Sequence, residues 1–400
     1  MKTVTLREIT LNITDGKHGD CEPAENSGYY FVSCKDVNNG TIDYANARQI
    51  SERAFLETHK RTQLEPNDIL ITNSGTIGRM ALVKDIPETY RTTFQKSVAI
   101  VKPDISVVLP TYLYYKLQNC VTDFVNCSNG SAQKNLLLGT IRKFQIDLHE
   151  DFAEQERLSS ILAAYDNLIE NNQKQIKLLE EAARRLYKEW FVDLRFPGYE
   201  DTPIVDGVPE GWEEAPIDSR ISLLSGYAFK SAQFDSSGEY KIVTIKNVKD
   251  GEFDGINTNR IVSIPGKTPK HCVLTDGDIL LSLTGNVGRT CIVNGNNYLL
   301  NQRVAKLQSD IPAFTYCLFR SSDMFDAMNN LANGTAQQNL SPIRTGKISI
   351  LFPADNLLEE FERIVGSMIS KMLSLIKQCD LLIQARDRLL PKLISGEIEV

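Results

Sequence analysis

The sequence predicts an α+β protein: two mainly β units related by an internal duplication, each followed by a long helix. Three observations carry this. The chain repeats itself at a spacing of roughly 205 to 211 residues, which is the signature of a duplicated domain and far too long for a solenoid. The first part of each half shows strand-and-turn punctuation, with DILIT, MALV and SVAIV interrupted by Gly, Asn and Asp. The last part of each half carries an apolar seam at heptad spacing.

In chain order, residues 1–150 form the first β-rich unit. Its stretch YYFVSCKDVNNGTID (Tyr29 to Asp43) superposes on YKIVTIKNVKDGEFD (Tyr240 to Asp254), placing Lys35 on Lys246 and Gly40 on Gly251. NDILITNSGTIGRMALV (Asn67 to Val83) superposes on GDILLSLTGNVGRTCIV (Gly277 to Val293), carrying Asp68, Gly75, Gly78 and Arg79 onto Asp278, Gly285, Gly288 and Arg289. NGSAQKNL (Asn129 to Leu136) superposes on NGTAQQNL (Asn333 to Leu340). Residues 151–195 read as the first spacer helix, with Leu158, Leu162, Tyr165, Ile169, Ile176, Leu179, Ala183, Leu186 and Trp190 on one seam and Asn172 interrupting it. A connector at 196–211 follows, where clustered Pro and Gly end the helix. The second β-rich unit spans 212–355. Residues 356–400 form the second helix and tail, with Phe361, Val365, Met368, Met372, Leu375, Cys379, Leu382 and Leu389 on its seam, of which Phe361, Met368 and Met372 suit packing alone. Two helices of matched length, each with an apolar stripe, most simply pack on each other.

Composition bounds the function. With 400 residues, 42% hydrophobic and 24% charged, the chain can build more than one core. No window reaches the length of a membrane span, and the N-terminus lacks a signal-peptide core, so a cytoplasmic location is expected. Eight cysteines without a CxxC and four histidines without an HExxH suggest neither a disulfide framework nor a metal site. Forty-four basic against fifty-one acidic residues give a net charge of −7, so a polyanion site has to be a local patch.

The enzyme motifs fail one by one. GKT at Gly266 to Thr268 lacks the glycine five residues earlier, where Ile261 stands, and there is no GxGxxG, GxSxG or NPPY. The glycine turns at Gly75 to Gly78 and Gly285 to Gly288 run from strand to strand, which makes them hairpin turns. Their polar residues Ser74, Thr76, Thr284 and Asn286 are nonetheless candidates to face a ligand. The repeated NGSAQKN and NGTAQQN loops hold Ser131, Gln133, Lys134, Thr335, Gln337 and Gln338, a donor and acceptor set suited to base edges and phosphates. The alternative is that Asn-Gly forms a turn and the amides cap the next element. Lys35, Arg79, Lys96, Lys246, Arg289 and Arg303 complete the candidate nucleic-acid set.

Together, DIL…SGxxGR, the NGxAQxN loop, the connector YKEWFVDLRFPGYE…GVPEGWE and the terminal LLPKLISGEIEV resemble the specificity subunit of a type I restriction-modification system, over essentially the whole chain. The resemblance implies two target recognition domains related by a pseudo-twofold and separated by an antiparallel coiled coil, reading a bipartite, asymmetric site on double-stranded DNA. It implies no catalysis and no cofactor in this chain. S-adenosylmethionine, ATP and magnesium would sit on two methyltransferase subunits and on restriction/translocase subunits, with no membrane involved. Tyr187 and Phe191, taken as exposed flanks beside the connector, are candidates for the methyltransferase contact. A duplicated peptide- or carbohydrate-binding adapter is the competing reading.

Overall fold

The computed structural model describes residues 1–38, 40–130, 134–332 and 338–398. The chain forms two compact units, one of residues 1–168 with 382–400 and the other of residues 169–381. Among the described residues no helix is long and apolar enough to cross a membrane.

In the first unit the strand Lys2–Thr5 pairs antiparallel with Gln145–Leu148, tying the two ends of the β-rich region together. A four-stranded sheet runs in the order Thr10–Asp15, Val98–Pro103, Ile69–Thr72, Met80–Leu82. A second sheet is ordered Arg48–Gln49, Tyr30–Val32, Thr92–Phe94, its last two strands parallel. Ile69–Thr72 is buried at every position, because it has a strand on each side and packing on both faces. That is why DILIT reads as a continuous apolar run.

The second unit repeats this strand for strand. Glu213–Pro216 pairs with Ser349–Phe352, and a sheet follows in the order Ser222–Ser225, Val304–Gln308, Ile279–Ser282, Thr290–Ile292. Tyr240–Val243 lies parallel to Tyr298–Leu300, as Tyr30–Val32 does to Thr92–Phe94. Even the hairpin register is kept: Ile69 opposes Leu82, and Ile279 opposes Ile292.

The copies also differ. Where the second unit adds the strand Val273–Leu274 to Tyr298–Leu300, the first unit has the helix Glu52–Thr62, capped by the Ser51 hydroxyl and burying Ala54, Phe55, Thr58 and Thr62.

Segments of two long helices complete each unit. The first spans Phe152–Tyr187 and ends in a π-turn, Lys188–Val192; the second spans Asp355–Ile394. Within the first unit, Leu158 and Leu162 share a core with Leu393 and Ile394, and Arg386 pairs with Asp166 at 2.6 Å. The buried Lys116 ammonium donates to the Ile394 carbonyl at 2.7 Å, closing a helix end that would otherwise leave acceptors unpaired. Within the second unit, Ile169 lies beside Cys379 while Tyr187 and Trp190 meet Phe361, so the two segments run antiparallel. Asn172 reaches Gln378 at 3.4 Å across this seam.

A residue of each long helix also caps a shorter helix within the same unit. Gln155 accepts from the Leu109 amide at 2.8 Å, at the start of Pro110–Asn119. Glu362 accepts from Ala313 and Phe314 at 2.9 and 2.8 Å, at the start of Pro312–Phe319. These amides have no partner inside their own helices, so the caps fix each helix against its unit's sheet.

Candidate nucleic-acid interface

The glycine turns are hairpin loops held by a hydroxyl. At the end of Ile69–Thr72, the Thr72 amide donates to the Arg79 carbonyl at 2.8 Å and Gly78 donates to the Thr72 carbonyl at 3.0 Å. The buried Thr72 hydroxyl donates to the Thr76 carbonyl and accepts from the Arg79 amide at 2.9 Å. Ser282 does the same in the second unit, donating to the Asn286 carbonyl and accepting from the Arg289 amide at 3.1 Å. Glycine is required at both turns: φ is +78° and +89° at Gly75 and Gly78, and +73° and +81° at Gly285 and Gly288.

The polar loops dock on these turns. Asn129 and Asn135 exchange backbone hydrogen bonds at 2.9 and 2.8 Å, and the Leu136 amide donates to the Asn73 carbonyl at 2.8 Å. Ser74 and Asn135 form a bridge, as do Thr284 and Asn339 in the second unit. There the Leu340 amide donates to the Leu283 carbonyl at 2.8 Å. Two motifs that lie about fifty residues apart in sequence are thus one surface feature, built twice.

Two further segments join it. The Asn73 amide donates to the Ser97 carbonyl, and the Leu283 amide to the Arg303 carbonyl, both at 3.0 Å, which brings residues 95–97 and 301–303 alongside the turns. Ser33 and Asp36 close a small turn through bonds of 2.7 and 2.8 Å, and Thr244 with Asn247 closes its counterpart at 2.8 and 2.9 Å. These turns leave Lys35 and Lys246 exposed at their tips. In the first unit the Cys34 amide donates to the Ser97 hydroxyl at 3.1 Å, fixing this turn to the same cluster.

Lys35, Lys96, Lys134, Lys246 and Arg303 are exposed, and among the described residues none of them makes an ion pair. Arg289 is half-buried and lies close enough to Asp250 to feel its charge, without a salt bridge. Arg79 donates to the Asn38 side chain at 2.6 Å. Some cations outside the clusters are matched with carboxylates, as in Lys102 with Asp68 at 2.8 Å and Lys306 with Asp278 at 2.7 Å. In a chain of net charge −7, the cations at the loop clusters have no carboxylate paired to them among the described residues, so a phosphate could take them without displacing one.

Ser74 is half-buried at its bridge, Thr76 and Asn286 are exposed, and Thr284 is buried; Gln338 is exposed at the edge of its loop. Ser131, Gln133, Thr335 and Gln337 lie outside the described residues. The sequence reading missed Lys17 and Tyr227. The Lys17 amide donates to the Phe94 carbonyl at 2.8 Å and its carbonyl accepts from Lys96; Tyr227 does likewise with Leu300 and Gln302. The available signal was the glycine that precedes each of them. A Cβ at Gly16 would stand 1.9 Å from the Phe94 oxygen, and one at Gly226 would stand 2.3 Å from the Asn301 oxygen.

One expectation is corrected. Tyr187 is not an exposed flank: it is 8% exposed and packs against Phe191, Phe314 and Phe361, with ring centroids at 5.5, 5.6 and 6.3 Å. The seam runs Ala183, Tyr187, Trp190, a step of four and then three, so Tyr187 points inward where Leu186 was expected to. Phe191 is half-buried in the same aromatic cluster, 4.9 Å from Phe361. Tyr187 is therefore no exposed docking anchor.

Fold and loop clusters together define a duplicated recognition protein. The family model of the type I restriction modification DNA specificity domain matches twice, over residues 15–181 and 209–368, and the chain belongs to that family. It is similar to the type I restriction enzyme MjaIX specificity subunit of Methanocaldococcus jannaschii, at 26% identity over 92% of this chain and 87% of that one. It is also similar to the HindI specificity subunit of Haemophilus influenzae, at 21% identity over 99% of each chain. The crystal structure of a type I restriction-modification S subunit from M. genitalium shares the fold, with a TM-score of 0.58 at 14% identity, covering 98% of this chain and 95% of that one.

Proposed function

We propose that this chain is the non-catalytic, DNA-reading subunit of a type I restriction-modification complex, its two β-rich regions each reading one half of a bipartite, asymmetric duplex site. In this reading it directs two methyltransferase subunits and the restriction/translocase subunits to that site, and S-adenosylmethionine, ATP and magnesium act on those partners. The observation that carries it is the twice-built cluster of glycine turn and polar loop, with its uncompensated cations. The scaffold of the cluster repeats while its side chains differ: Ser74 against Thr284, Thr76 against Asn286, Ser97 against Arg303. A shared scaffold with different donors and acceptors suits two unlike half-sites.

Salt dependence tests it. Each phosphate contact removed lowers the slope of log affinity against log salt by about one. Arg289→Ala in the assembled complex should therefore weaken binding to all duplexes alike and flatten that slope by about one, leaving base preference intact. An unchanged slope and affinity would remove Arg289 from the interface.

A further inference from the structure

The second unit contains a cleft lined by Ser225, Thr284, Gln302, Arg303, Asn339 and Ser341, with apolar walls and no carboxylate. Three chain segments that the cluster brings together meet around it: the turn after Ile279–Ser282, residues 301–303, and the end of the polar loop. Arg303 is exposed at the rim, and among the described residues it has no ion-pair or hydrogen-bond partner for its guanidinium. Thr284 is 7% exposed, and among the described residues no group engages its buried hydroxyl. Buried hydroxyls are seldom left this way, so unused hydrogen-bonding capacity lies directly under the cleft. A guanidinium, two amides and hydroxyls, with no acid among them, form a donor set for an oxyanion.

The equivalent place in the first unit is chemically different. By strand register Ser97 stands where Arg303 does, since Val98 opposes Thr72 as Val304 opposes Ser282. Ser97 is 6% exposed, and its hydroxyl is already engaged, accepting from the Cys34 amide and donating to Gln95, both at 3.1 Å. The exposed cation there is Lys96, one residue earlier in the strand connection.

We infer that this cleft is a phosphate seat particular to the second unit, in which Arg303 grips one backbone phosphodiester of the DNA and so sets the unit's register on the duplex. The inference rests on the DNA-reading function proposed above. It assigns Arg303 to positioning, because a phosphate carries no sequence information, and leaves base reading to the exposed turn and loop residues.

Duplexes carrying a single uncharged methylphosphonate, placed in turn at each position of the recognised site, test this with the full chain in complex with its methyltransferase subunits. One position in the second unit's half-site should weaken binding about tenfold, the loss that accompanies one charge-assisted hydrogen-bonding site. Arg303→Ala should weaken binding by a similar factor and abolish the sensitivity at that one position, with base preference unchanged. Arg303→Lys should restore part of both. Full methylphosphonate sensitivity in Arg303→Ala would overturn the seat, and so would a change of preferred base, which would make Arg303 a base reader. If wild-type complex did not discriminate among duplexes at all, the parent reading would fall, and the seat with it.

Discussion

Replacing Arg320 by alanine should destabilise the second unit by about 3 kcal/mol, the lower end of the range for breaking a buried ion pair. Its side chain is only 4% exposed, and it pairs with Glu180 of the first long helix. It donates to the Tyr316 hydroxyl at 2.8 Å and to both Asp250 oxygens at 3.2 Å. Asp250 is 65% exposed, so its share of the loss is small. The cost falls on Glu180, 23% exposed, which would be left with an uncompensated charge. Gly251 lies over this pair, a Cβ there falling 2.6 Å from the Arg320 guanidinium, so the turn at 249–252 should loosen as well. Both tryptophans of the chain, Trp190 and Trp212, lie in the second unit's core, which makes tryptophan fluorescence in urea a reporter of that unit. Replacing both partners, Arg320→Met with Glu180→Leu, should recover most of the loss, since an apolar pair has no charge to leave unpaired. An Arg320→Ala midpoint within error of wild type would contradict the ion-pair account.

Gly226→Ala should cost about 2–3 kcal/mol by overpacking and abolish reading by the second unit alone. The new Cβ would stand 2.3 Å from the Asn301 oxygen, 2.4 Å from its carbon and 2.5 Å from the Leu300 oxygen. All of these are backbone atoms and cannot rotate away. Relief requires parting the bonds from Tyr227 to Leu300 and from Gln302 to Tyr227, which displaces Gln302 and Arg303. Gly266→Ala, with nothing within 4 Å of its Cβ, is the matched control and should be nearly neutral. Site selection from randomised duplexes should show Gly226→Ala keeping one half-site and losing the other. Retention of both half-sites would mean that residues 301–303 do not position the reading surface.

Much of this architecture was legible because duplication doubles every signal. The glycine turn and the polar loop stand out in sequence because both halves carry them, and the structure joins them through Ser74 with Asn135 and Thr284 with Asn339. What sequence could not show was register. The one-residue offset between Lys96 and Arg303 appears only once Val98 and Val304 are aligned by their strand partners. The inward turn of Tyr187 was readable from its spacing to Ala183 and Trp190, but Leu186 beside it is equally apolar and competes for the seam. The helix Glu52–Thr62 was hidden for the opposite reason: the second half has no copy of it, and its buried positions are partly threonine. The close approach of Gly16 and Gly226 to a neighbouring backbone is a tertiary fact, signalled in sequence only by a glycine before an otherwise unremarkable residue.

On the proposed function, each unit's loop cluster reads its own half of one DNA site. Asn286 and Gln338 are exposed on the second unit's cluster, where their substitution leaves the core intact. Sequencing the duplexes retained from a randomised pool by wild-type complex and by Asn286→Ala/Gln338→Ala complex tests the claim directly. A two-part consensus in which the double substitution relaxes one part, costing about 1–3 kcal/mol at the bases concerned and leaving the other part unchanged, is the predicted result. A consensus altered equally in both parts, or in neither, would contradict it.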